Sequence, residues 1–147
     1  MEKIKNIIFW GSAVIGGLLS EYLGGLDVML KALLLFMVVD YITGLIVAVV
    51  FKSSTKTETG AASSKASFKG LVKKAVMILL IAVMVQADLV LGTNNFFREA
   101  TIWGFLANEL MSLIENVGLM GFTKLPISLT NALDVLNKKV EGNKEQE

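Results

Sequence analysis

VMLKALLLFMVVDYITGLIVAVVF, residues 28–51, decides how this chain is read. A helix needs about 20 residues, rising ~1.5 Å each, to cross a hydrocarbon core roughly 30 Å thick. This run is long enough, and Asp40 is the one charge deep within it. Three more apolar stretches flank it, at about residues 7–26, 74–92 and 99–122. The stretch at 74–92 is broken only by Gln86 and Asp88 after its first residue. The first contains Glu21 and five glycines, and the last contains Glu109 and Glu115. The expected fold class is therefore all-α, an integral membrane protein with four transmembrane helices. Three spans plus an interfacial helix is the alternative.

Composition agrees. Of 147 residues, 54% are hydrophobic and 18% charged, with a mean hydropathy of +0.64. The chain has no His and no Cys, which removes the usual zinc ligands, Cys or His nucleophile–base pairs and any disulfide framework. A formal charge of +1 excludes nucleic-acid binding driven by whole-chain basicity. No enzyme activity, cofactor or metal is expected. Glu2-Lys3-Ile4-Lys5 before an apolar run resembles the start of a signal peptide. No A-x-A-like cleavage site follows it, and Glu21-Tyr22 lies where cleavage is expected, so the stretch reads as a span.

Lysine placement sets the expected threading. Lys52, Lys56, Lys65, Lys69, Lys73 and Lys74 lie between the second and third spans against the single acid Glu58. The positive-inside rule makes loop 52–73 cytoplasmic. Four spans then put both termini on that side too, leaving only Lys31 and Arg98 outside. The Ser/Thr/Gly/Ala-rich segment Ser53–Ser67 reads as a mobile linker. Residues 1–126 form the expected transmembrane domain. Within 127–147, Leu129, Leu133, Leu136 and Val140 recur at helical spacing, predicting a short amphipathic cytoplasmic helix before a disordered tail.

Polar residues at membrane depth are costly, so each needs a partner, a bundle interior or water. Thr101, Asn108, Glu109, Ser112, Glu115 and Asn116 fall within an arc of roughly 120° on one helix. This stripe reads as one wall of an aqueous path or the wet face of an interfacial helix, with interhelical hydrogen bonding in a sealed bundle as the alternative. Asp40, Thr43 and Gly44 share a face of the second span, with Gly44 and Ala48 spaced for close helix contact. Asp40 is either a pore-lining or assembly residue or a carboxyl kept neutral by burial and hydrogen-bonded to Thr43 or a neighbouring helix. Asp88, near the outer end of its span, reaches water more easily. Ser12, Gly16, Ser20 and Gly24 form a small-residue ridge suited to helix packing.

Several of these residues carry a family pattern. Asp40-Tyr41-Ile42-Thr43-Gly44, Ser63-Ser64-Lys65 leading to Lys69-Gly70-Leu71-Val72-Lys73-Lys74, then Asp88, then Asn108-Glu109 with Ser112, Glu115-Asn116 and Gly118, come in a fairly specific order. Together they resemble the phage-lysis and toxin-secretion holin family of Gram-positive bacteria and their phages. The resemblance runs from about Leu33 to Leu136. It departs at Ser67, where the family pattern favours glycine. The resemblance implies a small bacterial cytoplasmic-membrane protein that homo-oligomerises and opens lesions through which an endolysin or toxin leaves the cell. Asp40, Thr43, Gly44, Asp88, Asn108, Glu109, Ser112, Glu115 and Asn116 are the pore-lining or assembly candidates. Lys65, Lys69, Lys73 and Lys74 are candidates for contact with anionic lipids. The rivals are a proton- or cation-coupled small transporter using carboxylates such as Glu21 and Asp40, and a membrane scaffold without a pore.

Overall fold

The computed structural model describes residues 1–122 and positions 131, 134, 135 and 138, with the side chains at 8 and 12–15 excepted. The amphipathic helix expected on Leu129, Leu133, Leu136 and Val140, and the tail after it, lie outside the described residues. Among the described residues the fold is helical, with no strand. Helix α1 is Glu2–Tyr22 and α2 is Val28–Ile46, which continues through a wide π turn to Phe51. Helix α3 is Ser64–Leu91 and α4 is Phe96–Leu119. Val28–Phe51 and Ser64–Leu91 are long and apolar enough to cross a membrane.

Helices α2, α3 and α4 form the bundle. Arg98 meets Asp27 at one end of α2 and α4, and Asn116 meets Asp40 and Thr43 farther along, so these two helices run parallel. They share the most extensive helix contact. Lys74, early in α3, reaches Asp40 and Glu109, whereas Asp88, late in α3, reaches the start of α4, so α3 is antiparallel to both. Leu30, Leu33, Met37, Ile81, Ile102, Leu106 and Leu110 fill the core. Those on α2 and α4 recur every three or four residues, the spacing that keeps one helical face inward.

Helix α1 touches the bundle only at α3. This bears on the small-residue ridge. Helix α1 ends at Tyr22, so Gly24 lies beyond it in the α1–α2 turn, not on the ridge. Gly24 has φ +74°, and a Cβ there would sit 2.7 Å from Arg98 Nε. The glycine is needed because an arginine is packed against its backbone. Gly24→Ala is therefore expected to lower the thermal midpoint of the detergent-solubilised monomer by the equivalent of about 1–3 kcal/mol. Gly16→Ala, with nothing within 4 Å of the added Cβ, should leave it unchanged.

The segment expected to be a linker differs as well. Helix α3 begins at Ser64, well before the expected start of the third span. Its upstream half is a hydrogen-bonded turn in which Ser54 N–H donates to Gly60 O and Thr57 Oγ1 donates to Ala61 O. Short hydroxyl side chains supply such local bonds, which is why a polar, low-complexity stretch holds shape here.

Candidate functional site

The centre of the bundle is ionic. Lys74 Nζ donates to Asp40 Oδ2 at 2.8 Å and also to Glu109 Oε2. The side chains of Lys74, Asp40 and Glu109 are 13%, 7% and 3% exposed. Asn116 Nδ2 donates to Asp40 Oδ1 and to Thr43 Oγ1, each at 3.0 Å, and Thr43 Oγ1 donates to Asp40 O. Asp40 is about 17 Å from either end of the helical run Val28–Phe51, so the cluster sits near the middle of that helix. Among the described residues no buried side-chain nitrogen or oxygen lacks a partner. A lysine shared between two carboxylates and closed by an amide satisfies the requirement that charge buried at low dielectric be paired and hydrogen-bonded.

Lys74 thus sits inside the bundle instead of facing lipid headgroups. Lys65, Lys69 and Lys73 are spaced by four and share one ridge of α3, whereas Lys74 steps about 100° off it. That step was the available signal for a different role.

The polar stripe of α4 divides along its length. Glu109 and Asn116, at one edge of the arc, are buried against α2 and α3. Thr101, Asn108, Ser112 and Glu115, at the other edge, line the furrow between α3 and α4. Towards the α3 start this furrow is a groove of ≈ 870 Å³ bordered by Lys69, Lys73, Asn108, Ser112 and Glu115, with Lys74 and Glu109 at its base. Turn 52–63 closes one end, where Thr55 Oγ1 donates to Glu115 Oε1 at 3.0 Å and Lys56 reaches to within 3.9 Å of where a Gly44 Cβ would lie. Gly44 also faces Asn116, whose Nδ2 would lie 3.7 Å from an added Cβ, an ordinary contact distance.

Comparison with known proteins bears on what this arrangement belongs to. A family profile described as the bacteriophage holin family matches residues 17–138. The chain belongs to the bacteriophage holin family. It is similar to a probable holin of Bacillus phage phi105, with 29% identity over 126 residues, 86% of this chain and 87% of that protein. An uncharacterised protein of Listeria innocua is 38% identical over 146 residues, 99% of this chain and 95% of its own length. One of Listeria monocytogenes is 36% identical over 143 residues, 97% and 96% of the two chains. No solved structure matches. Family membership makes the chain a non-enzymatic membrane protein of the bacterial inner membrane, with oligomers implied.

Two further polar groups of the chain sit at helix ends. Asp88 Oδ1 accepts from Phe97 N–H at 3.0 Å and from Thr93 Oγ1, and Oδ2 accepts from Arg98 N–H at 2.8 Å. Asn95, at the N-cap of α4, makes no side-chain cap, so a carboxylate from α3 satisfies the free N–H groups and the positive end of the helix dipole. Asp88 therefore ties the α3–α4 corner together. Arg98, only 2% exposed, donates from Nε to Leu23 O at 2.7 Å, from Nη1 to Asp27 Oδ2 at 2.7 Å and from Nη2 to Gly25 O at 3.1 Å. Asp27 in turn caps α2 by accepting from Leu30 N–H at 2.8 Å. Burial raises the Asp27 pKa, but the hydrogen bonds from Arg98 and Leu30 and the Arg98 charge outweigh it and hold the carboxyl below its ordinary 3.8. Arg98 and Asp27 had drawn no functional reading from the sequence, because neither interrupts a span.

Proposed function

We propose that the chain assembles in the cytoplasmic membrane and opens lesions through which a lytic enzyme or a toxin leaves the cell. One observation carries this reading: large apolar side chains face outward while a charged cluster is buried within the bundle. Leu35, Leu79 and Val90, on α2 and α3, are 60%, 64% and 84% exposed, while Lys74, Asp40, Glu109 and Asn116 are gathered inside beside a polar groove. An apolar exterior suits lipid, and a groove lined by Asn108, Ser112 and Glu115 becomes a wetted surface when neighbouring copies separate or rotate.

The packing of α4 supports a crossing by α4 beside those of α2 and α3, within a reading of four crossings that includes α1. Helix α4 lies parallel to α2 from Arg98–Asp27 to Asn116–Thr43, so a slab crossed by α2 is crossed by α4 beside it. With α3 antiparallel, the lysine-rich turn and the end of α4 share a side, and the lysine asymmetry makes that side cytoplasmic. Gly16 then supports contact between copies, since among the described residues nothing lies within 4 Å of a Cβ added there.

The test is expression in bacteria while membrane potential and escape of a cytoplasmic enzyme are followed together. Depolarisation with enzyme release is expected. Gly16→Leu is expected to shrink the cross-linked oligomer and delay release at matched expression. Depolarisation of the parent chain with the enzyme retained would instead point to a small channel or a coupled transporter.

A further inference from the structure

The furrow between α3 and α4 does not end at the polar groove. It continues past Lys73 and Asn108 into a second concavity of ≈ 460 Å³, where Met77, Gly104 and Phe105 replace the charged lining. Lys73 and Asn108 border both parts. From Glu115 to Thr101 the furrow follows α4 for about 20 Å, the scale of a headgroup plus much of an acyl chain. Its upper part is cationic at the rim: Lys56, Lys69 and Lys73 face Glu115, which already accepts from Thr55, while Asp40 and Glu109 are occupied by Lys74. Its lower part is apolar and owes its depth to Gly104, where an added Cβ would meet nothing within 4 Å.

A cationic rim leading into an apolar trough matches one kind of ligand, an anionic amphiphile. From this arrangement we infer that the α3–α4 furrow binds a single anionic phospholipid of the surrounding bilayer. Lys69 and Lys73 hold the phosphate, Asn108 and Ser112 donate to the headgroup or ester oxygens, and one acyl chain lies over Gly104 between Met77 and Phe105. The inference rests on the membrane reading of α3 and α4 and not on lesion formation. It also divides the four lysines expected to meet anionic lipid. Lys69 and Lys73 keep that role in a built site, Lys65 lies outside the groove, and Lys74 is committed to Asp40 and Glu109.

The test uses the full chain, delipidated in a neutral detergent and titrated with phosphatidylglycerol or phosphatidylcholine of matched acyl chains, with bound lipid counted by native mass spectrometry. Phosphatidylglycerol should bind at one site at least about tenfold more tightly than phosphatidylcholine. Lys69→Gln with Lys73→Gln should weaken it by about tenfold or more, and Lys69→Arg with Lys73→Arg should retain it. Gly104→Leu changes no charge and fills the trough, so a comparable loss there is the decisive result. Circular dichroism of each variant checks that it is folded. Equal binding of the two lipids, no effect of Gly104→Leu, or displacement by millimolar inorganic phosphate would each overturn the inference. Enzyme release is scored separately, so a chain that binds the lipid but forms no lesion counts against the proposed function alone.

Discussion

Replacing Lys74 by methionine is expected to destabilise the bundle more than any other single change among the described residues, by about 3–5 kcal/mol. The substitution leaves Asp40 and Glu109 inside the bundle without a cation, 7% and 3% exposed. Each then needs a proton or water, and either requires the helices to separate. The measurement is the midpoint of an SDS titration of the detergent-solubilised chain, followed by helix content. Adding Asp40→Asn and Glu109→Gln to Lys74→Met should restore most of the loss, because a neutral cluster carries no uncompensated charge. Restoration separates an electrostatic cause from lost packing of the lysine stem. An unchanged midpoint for Lys74→Met would mean that the cluster is solvated and the bundle is held by its apolar core alone. The same geometry separates the two glutamates of α4. Glu109→Gln should alter stability through Lys74, whereas Glu115→Gln, at the groove rim, should alter mainly ion preference of permeabilisation.

Arg98→Ala is the second large effect, on the order of 3 kcal/mol, since three donors to the α1–α2 turn vanish and Leu23 O and Gly25 O lose their guanidinium partner. The ion pair itself adds little, because Asp27 is 43% exposed and screened. Arg98→Lys should recover less than half, as one ammonium cannot reproduce a fork that serves three acceptors. Hydrogen exchange at Leu30, whose N–H is capped by Asp27, reports the loss locally. The pH dependence has a definite sign. The Asp27 pKa is lowered in the fold, so its contribution is present above the ordinary 3.8 and fades as pH falls through the lowered value. Loosening of this corner is therefore expected only below about pH 4 and should be smaller in Asp27→Asn, where Asp88 alone remains to be protonated. The parent chain losing this corner near neutral pH would contradict the assignment.

Much of this protein was legible in local pattern. Run length and composition specify helices of membrane length, because spanning a hydrocarbon core demands about 20 apolar residues wherever they occur. Helical periodicity placed Asp40 with Thr43 and Gly44, and collected the polar stripe of α4, because side chains on one helix are related by a fixed rotation. The order of these motifs also carried the family. What periodicity does not contain is the rotation and axial offset of one helix against another. Those decided that Lys74 turns inward to Asp40, 34 residues away, and Asn116 to Asp40, 76 residues away. They also split the stripe, sending Glu109 and Asn116 into the bundle and leaving Asn108, Ser112 and Glu115 on the furrow. Gly24 reads as part of a small-residue ridge until Arg98, from the start of α4, is seen packed on its backbone. The sequence by itself determined which faces are polar and that they lie at membrane depth, because these depend only on residue type and helix rise. Which charges neutralise one another, and which remain for lipid or water, was decided only by tertiary structure, because pairing depends on distances between helices.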